Sequence, residues 1–538
     1  MAKKPTTPKT IAQDAARLVA GDILVLSPGT YRDAVTFTRL RGEPGRPIRI
    51  RSEPDAVFDA GLPMPKRLPP LNADGARPPL GPSDEGFTVV ERARAAARAL
   101  DPATEFPGVY KLSDQGQVRF IGCQHVIVES LAFRNCWPTA VALLESCDMD
   151  FRKISIEGAA YAFQARGAST ARLRIENCTW TQDTTERLLW SELTFADVHG
   201  NWSEGEGDGW RCFDGSFFNA NDIAGAVEII DCKVRHAFNG VHLFNKDRRT
   251  DLSVGVRVHG CTFSHIKDNP IEAEDAAWNW WIHDNVFHNC HKWLSLELKK
   301  IGWIYIFRNR GWADSRPGPV DDANASGAVF KFFKKPDKPK TAKSPMYIFN
   351  NSWALRSTIV QEGFVRGLWH FNNAIRFYGP ADGRPPPVYW PWTPFFGRRD
   401  VAEPDAPLTP ADFTRRWSSE AGGFDIRFVG DVISHPHFPT DLIAVGYAVE
   451  AGAVGDPRFV APTSGDLRLK AGSPCLGRAE ALTVNIMKED EKGGEKGPDL
   501  VLPAGINVGW DQGEAQPFIE LLKHAPQVAP LDAGVATV

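Results

Sequence analysis

A short pattern recurs through the middle of the chain and restricts the possible folds more than any other feature. In each copy an apolar residue is followed three positions later by Cys or Asn, and in most copies an aromatic residue comes two positions after that. The copies place this residue at Cys178, Cys232, Cys261, Asn285, Asn309 and Asn351. From Cys232 to Asn309 the spacing is about 24 to 29 residues, which favours a solenoid over a WD-type propeller blade of roughly 40–45 residues.

Each copy also carries short alternating strands that end at Asn, Gly or Asp, whereas amphipathic helices are scarce. We therefore predict an all-β fold, a single-stranded right-handed parallel β-helix (solenoid), in which equivalent residues of successive coils stack. A buried Asn can hydrogen-bond the next coil, and Cys can fill the same position as a small apolar residue. The alternatives are structural cysteines in unrelated strands and metal-binding cysteines, although the chain has no CxxC pair.

Two segments near the ends of the chain carry a resemblance to a known family. Residues 20–32 (AGDILVLSPGTYR) and 46–51 (RPIRIR) resemble the opening coil of parallel β-helix carbohydrate enzymes, nearest the chondroitinase B and alginate lyase family. Residues 456–462 (DPRFVAP) and 465–474 (GDLRLKAGSP) resemble the closing coil of such proteins. The resemblance implies the fold and an action on polysaccharides.

The repeat predicts one long solenoid over residues 11–480, with a capping helix over 11–20 and insertions near 55–115 and 376–425. We expect a disordered N-terminus at 1–10 and a loop-rich tail at 481–538 that packs on the coil. No apolar run reaches the roughly 18–20 residues of a membrane span, and the net charge of -4 disfavours a general nucleic-acid binder. No signal peptide is visible, so the chain is expected to be cytoplasmic as written, or periplasmic or secreted if a leader was removed. The oligomeric state stays open.

Aligning the strands before the Cys/Asn positions predicts which side chains meet across coils. The aligned segments are 209–215, 240–246, 270–276, 293–300 and 328–335. They place Trp210, Val241, Ile271, Leu294 and Val329 inward, and Arg211, His242, Glu272, Ser295 and Phe330 outward. Two residues further along, the outward positions are Phe213, Phe244, Glu274, Glu297 and Phe332. Since neighbouring coils lie about 4.8 Å apart, Glu272, Glu274 and Glu297 should share one patch.

Three close carboxylates repel one another unless a cation compensates them or one of them stays protonated. The family resemblance implies a Glu-x-Glu pair that holds Ca²⁺, and Glu272 and Glu274 match this pair; Ca²⁺ is therefore a candidate cofactor. The preceding coil would contribute His242, or Asn245 if the register slips. The family's catalytic Lys, five residues after the pair, is Asn279 here. A solvated acidic strip is the alternative.

The remaining candidates surround this patch. As catalytic residues we predict Lys299, His242, Arg211, Glu297, Asp208 and Asp214. As substrate-binding residues we predict Trp210, Asn245, Lys246, Trp278, Lys331 and Lys334. A run of lysines from Lys299 onward would suit an anionic polymer, unless residues 334–345 are a mobile loop. His236 and His265, each four residues after a repeat Cys, are expected to form a stacked turn.

These residues predict an enzyme that cleaves glycosidic bonds in a polysaccharide or oligosaccharide. β-Elimination on a uronate-containing polysaccharide is ranked first, with Lys299 or His242 as base and Arg211, Lys or Ca²⁺ neutralising the sugar carboxylate. Hydrolysis by paired carboxyls is the second possibility. A non-catalytic carbohydrate-binding or spike-like β-helix is the third.

Overall fold

The computed structural model describes residues 3–62, 113–195, 198, 213–315, 317–318, 328–332, 341–356, 358–360, 365, 367–378, 426–434, 451–488, 495–511 and 516–532. Within these residues, parallel strands form a 22-stranded and a 13-stranded sheet, and neither sheet closes on itself. Along most coils the chain adds one strand to each of three faces, in the order face 1, face 2, face 3; the first and last described coils have no described strand on face 1. The predicted parallel β-helix is confirmed.

Faces 1 and 2 belong to one sheet because two long strands, Ile271–His283 and Lys292–Phe307, bend around the corner between them. The other strands of face 1 are Val35–Thr38, Gly116–Ile121, Thr139–Leu144, Tyr161–Arg166, Ser216–Asn221, Asn239–Phe244, Ala328–Lys331 and Thr358–Val360. Those of face 2 are Lys3–Thr6, Ile23–Leu26, Ile48–Ser52, Gln124–Glu129, Cys147–Arg152, Ala171–Glu176, Gly225–Ile230, Val254–His259, Thr341–Ala342, Met346–Phe349, Leu368–Phe371 and Ile426–Val429.

Face 3 is the 13-stranded sheet. Its strands are Gly29–Tyr31, Ala56–Leu62, Ala132–Cys136, Ser155–Glu157, Thr179–Thr181, Lys233–Ala237, Thr262–Ile266, Val286–Cys290, Arg310–Trp312, Ser352–Leu355, Ala374–Phe377, Val432–Ser434 and Ala453–Val454. Outside the coil lie the hairpins Phe459–Ala461/Asp466–Leu469 and Leu482–Lys488/Glu495–Leu502. The helices described are Ile11–Ala15, the π-helical turn Leu188–Glu192, the 3-10 turn Pro462–Ser464 and Gln516–Leu522. None of the described helices is long and apolar enough to cross a membrane.

The predicted Cys/Asn ladder runs through the interior between faces 2 and 3. The Asn285 amide donates to Asn309 Oδ1 at 3.0 Å, and Asn309 donates to Asn351 Oδ1 at 3.0 Å. Each of these oxygens also accepts the backbone N–H of the preceding ladder residue. Two further residues continue the ladder, because Asn351 donates to Asn373 and Asn373 donates to Asp431. The stacked amides thus lock successive coils in one register.

The start of the chain differs from the sequence prediction. Lys3–Thr6 forms a strand parallel to Ile23–Leu26, so the prediction of disorder over residues 1–10 is wrong for the described part of that range. The capping helix is shorter than the predicted 11–20 and ends at Ala15, where it buries Ile11 and Ala15 against the first coil. Most of the predicted insertions near 55–115 and 376–425 lies outside the described residues, whereas Ala56–Leu62, at the start of the first one, is a strand of face 3.

The tail packs on face 2, where a set of aromatic side chains points outward. Tyr305, Phe307, Tyr347 and Phe349 are buried there against apolar residues of the hairpin Leu482–Lys488/Glu495–Leu502 and of the helix Gln516–Leu522. The phenol of Tyr305 donates to the backbone oxygen of Asn485 at 2.7 Å. The described part of the tail thus packs on the coil and contributes a hairpin and a helix to the folded core.

We predict that Asn351→Ala lowers the free energy of unfolding by about 2–4 kcal/mol, because it leaves buried amide groups of two neighbouring coils without partners. Urea denaturation followed by circular dichroism measures this loss. Asn221→Ala, at a half-exposed position of face 1, is the control and should stay within about 0.5 kcal/mol of the wild type. Equal effects of the two substitutions would contradict a stabilising ladder.

Candidate functional site

The strand below Asn239–Phe244 on face 1 is not the predicted segment 209–215. Ser216–Asn221 takes this place, with Phe218 beside Val241 and Asn219 beside His242. The alternation of inward and outward residues is satisfied better here, because Phe218 and Ala220 both enter the core. Trp210 and Arg211, which the alignment placed in this segment, and the predicted catalytic Asp208 just before it all lie outside the described residues.

The segment after residue 328 is shifted by one residue from its predicted register. Phe330 lies beside Leu294 in the core, and Lys331 lies beside Ser295 on the outward side. A shift of one residue exchanges the two faces of a strand, and the structure buries Phe330 and Phe332 while Lys331 faces outward. Lys331 therefore joins the site directly, and Phe330 leaves the outward row.

The predicted register is correct for the three strands between these two segments. His242 lies beside Glu272, Glu272 lies beside Ser295, and Glu274 lies beside Glu297. The three glutamates thus share one outward patch. Together with His242 and Lys331 they form what we call the carboxyl cluster.

His242 joins two of the glutamates. Its Nε2 atom lies 3.1 Å from Glu272 Oε2 and 3.3 Å from Glu274 Oε2. Burial by itself lowers the pKa of His242, but the two carboxylates outweigh burial and raise it above its usual value. Asp214, a half-buried predicted candidate, adds to the same effect. The two carboxylates therefore favour the protonated form of His242.

The two carboxyls of the Glu-x-Glu pair have different environments. Glu272 is nearly inaccessible; Ser295 Oγ donates to its Oε1 at 3.0 Å and Asn239 Nδ2 to its Oε2 at 3.4 Å. Burial raises the pKa of Glu272 to about 7. The side chain of Glu274 is 35% exposed, and although burial raises its pKa, the hydrogen bond from His242 brings the pKa below its usual value. One carboxyl can thus hold a proton near neutral pH while the other is ionised.

The lysines of the site are paired with carboxylates. Lys331 Nζ lies 2.9 Å from Glu297 Oε2 and 3.8 Å from Glu272 Oε1. Burial lowers the pKa of Lys331, but Glu272, Asp268 and Glu297 outweigh it, so the pKa rises and the ammonium is retained. Lys299, the predicted base, forms an ion pair with Asp275.

Two predicted substrate-binding residues are corrected by their burial. Trp278 is only 2% exposed, and its indole N–H donates to the backbone oxygen of Arg249. Asn245 is fully buried, and its amide donates to the backbone oxygens of Arg249 and Leu252. Both residues hold the turn between faces 1 and 2 and present no surface to a sugar.

The other predicted binding residues have different outcomes. Lys246 is exposed at the rim of the cluster, with its ammonium 5.2 Å from the ring centre of Phe244. Lys334 lies outside the described residues. The predicted stack of His236 and His265 is confirmed on face 3, with ring centres 4.6 Å apart and an interplanar angle of 9°.

Sequence reasoning missed the residues that hold Glu272. Ser295 was placed in the outward row but had no assigned role, and Asn239 was not considered. Both are neutral hydrogen-bonding residues, and their importance depends on the burial of Glu272. Asn239 also accepts the backbone N–H of Asn269 at 2.7 Å, which fixes the orientation of its amide toward Glu272. Only its position three residues before His242, on the same strand, could have indicated it.

The carboxyl cluster does not readily fit the predicted calcium site. The oxygens of Glu272 and Glu274 are compensated by an imidazolium and an ammonium, and those of Glu272 also accept from Ser295 and Asn239. In the part of the chain that the structure describes, no group of three or more His, Cys, Asp or Glu is arranged to hold a metal ion. Ca²⁺ at this pair stays a prediction, and no step below passes through a metal.

No protein-family model and no curated protein sequence matches this chain. Among solved structures, an alginate lyase from Paenibacillus sp. str. FPU-7 is 10% identical with a TM-score of 0.34, over 71% of this chain and 98% of that chain. A family 28 exopolygalacturonase from Yersinia enterocolitica is 11% identical with a TM-score of 0.36, over 71% of this chain and 74% of that chain. PfbA, a surface adhesin of Streptococcus pneumoniae, is 9% identical with a TM-score of 0.34, over 70% of this chain and 88% of that chain. At these identities and TM-scores the similarity carries no statement about function.

We predict that Glu272→Gln and Glu274→Gln change the pH dependence of stability in opposite directions. Because the pKa of Glu272 is raised, the free energy of unfolding of the wild type falls as pH rises from 4.5 through about 7. Over this range the stability of Glu272→Gln should therefore increase relative to that of the wild type. Glu274 has a lowered pKa and contributes stability above pH 4.5. Glu274→Gln should therefore be less stable than the wild type above pH 4.5, and the difference should disappear in acid. Urea denaturation at a series of pH values measures the stability of both variants. If their stability differences from the wild type changed with pH in the same direction, the opposite pKa shifts of Glu272 and Glu274 would be refuted.

Proposed function

We propose that this chain cleaves glycosidic bonds of a polysaccharide at the carboxyl cluster on face 1. The observation that carries the proposal is the single His242 nitrogen set between Glu272 and Glu274, at 3.1 Å and 3.3 Å, with one carboxyl buried and the other open to solvent. Paired carboxyls whose pKa values are pushed apart are the usual means of acid–base chemistry on a sugar acetal.

Hydrolysis is the reaction this arrangement supports best. Glu272 would give its proton to the leaving oxygen as the bond to the anomeric carbon breaks and Glu274 bonds to that carbon. Water, giving its proton to Glu272, would then break the bond to Glu274 and restore both residues; alternatively, Glu274 would act as base toward water in a single displacement. Because both Oε2 atoms contact one nitrogen, they lie less than about 6.5 Å apart, which favours double displacement with retention of configuration. His242 and Lys331 would keep the cluster's net charge low throughout.

β-Elimination, which the sequence ranked first, becomes the second candidate. The cations His242, Lys246, Lys299 and Lys331 favour it, since they could neutralise a uronate carboxylate. The reaction also needs a neutral base to remove the C5 proton. Lys299 and Lys331 are each ion-paired with a carboxylate, which stabilises their protonated forms. This pairing is the reason that hydrolysis takes first place.

The test is an assay against a panel of acidic and neutral polysaccharides, with and without a chelator. Reducing ends without ultraviolet absorbance indicate hydrolysis, and absorbance of an unsaturated sugar indicates elimination. Loss of activity with chelator, restored by Ca²⁺, would support a metal at Glu272 and Glu274. Binding without any product would leave a non-catalytic β-helix and refute the proposed enzyme.

For the active polysaccharide, we predict that Glu272→Gln and Glu274→Gln each lower kcat by about 10²–10⁴-fold, the usual contribution of a positioned acid or base. Glu157→Gln, at an exposed position of face 3, is the matched control and should keep full activity. Unchanged kcat in both cluster variants would place the reaction elsewhere.

A second substitution separates the two reactions. Under hydrolysis, Lys299→Met should retain most of kcat because Lys299 has no part in proton transfer. Under elimination with Lys299 as base, the same change should remove nearly all activity. Lys246→Met, which removes an exposed cation at the rim, controls for a general effect of charge on substrate binding and should act on KM.

A further inference from the structure

The outward side of face 2 has two zones of different chemistry. Toward the start of the chain, one outward row alternates in charge through Asp150, Arg174, Glu228 and Arg257. Beyond these coils the same row becomes aromatic, with Trp281, Tyr305, Tyr347 and Trp369. The hairpin Leu482–Lys488/Glu495–Leu502 covers the aromatic zone. The charged zone is crossed by a different part of the tail.

Residues 516–532, which we call the strap, run back along face 2 against the order of the coils. Phe518 stacks on Phe307 and Phe349, with ring centres 6.0 Å and 6.4 Å apart. Val528 meets Glu228 several coils earlier, and Asp532 meets Arg152 and Arg49. Phe349 and Arg49 are eight strand spacings apart, about 38 Å. Because the strap is helical as far as Leu522, residues 523–532 must be nearly extended to cover most of this distance.

Hydrogen bonds and ion pairs hold the extended half of the strap. The Val528 N–H donates to Glu228 Oε2 at 3.1 Å, and its backbone oxygen accepts from Arg174 at 3.3 Å. Asp532 accepts from Arg152 at 2.7 Å and from Arg49 at 2.7 Å. Glu228 is buried and is oriented by Arg257 Nη1 at 3.2 Å and by His259 Nε2 at 3.2 Å. Arg174 Nη1 donates at 2.9 Å to Glu228 Oε2, the atom that accepts from Val528, so Arg257 holds Glu228 together with Arg174 and His259.

Arg257 is in turn held by a buried histidine at the junction of the two zones. Arg257 Nε donates to His283 Nε2 at 3.0 Å, so this nitrogen must be unprotonated. The proton is on Nδ1, which donates to Asp284 Oδ2 at 2.7 Å, and Asp284 also accepts from Arg308. His259 stacks on one side of the His283 ring and Phe307 on the other, with ring centres 4.9 Å away in both cases.

We infer that the strap is an acid-released clasp: a protonated His283 Nε2 sets its N–H against the N–H of Arg257 Nε, displaces Arg257 from Glu228 and loosens the strap around Val528, while the ion pairs of Asp532 and the coils stay in place. This device is independent of the proposed catalytic function. It would expose the alternating charged row of face 2 in acid and cover it at neutral pH.

The carboxyls of Glu228, Asp284 and Asp532 all have pKa values below their usual range. Burial lowers the pKa of His283 to about 4, so the clasp is complete above pH 6.5 and is lost as pH falls toward 4. Burial raises the pKa of Glu228 and of Asp284, but the hydrogen bonds from His259, Val528 and His283 outweigh it, so both carboxyls stay ionised. Hydrogen bonds from Arg152 and Arg49 hold the pKa of Asp532 far below its usual value.

Hydrogen exchange of the full chain, measured by mass spectrometry at pH 7 and pH 4.5 and corrected for intrinsic rates, tests the clasp. We expect protection of the Val528 amide, measured on peptides that contain it, to fall at least tenfold in acid, while peptides from Gly225–Ile230 and Val254–His259 stay protected. His283→Gln keeps an acceptor and a donor without a titrating proton, and should keep the strap protected at both pH values. His288→Gln, on face 3, is the control and should behave as wild type.

A second variant tests the grip directly if His283→Gln does not fold. Val528→Pro removes the N–H that donates to Glu228 and leaves every coil residue unchanged. At pH 7 it should reduce the protection of the neighbouring strap amides to the level of wild type at pH 4.5. Equal protection of the wild-type strap at both pH values, or a strap that stays protected in Val528→Pro, would overturn the inference.

Discussion

The coils of this protein are held in one register by backbone hydrogen bonds and by the stacked amides of the interior ladder. Each ladder Asn accepts the backbone N–H of the coil before it and donates to the side chain of the coil after it, so Asn285, Asn309 and Asn351 act as one chain of bonds. These groups are buried and cannot exchange their partners for water. A shifted coil would leave them unsatisfied and would turn its outward side chains into the core.

Because the register is fixed, residues far apart in the sequence meet on the outward side of face 1 and form a site there. His242, Glu272 and Lys331 come from three different coils and meet because each occupies the same outward position. Their proximity changes their chemistry, since burial favours a neutral Glu272 while the adjacent imidazolium favours an ionised Glu274. The same principle operates on face 2, where stacked Arg and Glu residues hold the strap.

Much of the fold was predictable because its signals are periodic and local. The ladder positions, the three-strand coil and the proximity of Glu272, Glu274 and Glu297 all follow from spacing and from alternation along a strand. Prediction failed at the two ends of the aligned rows. Residues 209–215 and Ser216–Asn221 both offer alternating patterns, and Val329 and Phe330 both offer an apolar side chain to the core. A local pattern does not choose between such neighbours; packing against the next coil does.

The sequence by itself determined a solenoid, its ladder and the residue types available on its outward side. These features depend on the repeat spacing and on the alternation of side chains along each strand, both of which are local properties of the sequence. Only the tertiary structure decided that Lys331 and not Phe330 faces outward, that Trp278 and Asn245 are buried, and that Asp532 meets Arg49 and Arg152. Those outcomes depend on which side chains the neighbouring coils leave exposed. Burial and long-range contact also divide the roles of Glu272 and Glu274, which the sequence presents as an equivalent pair.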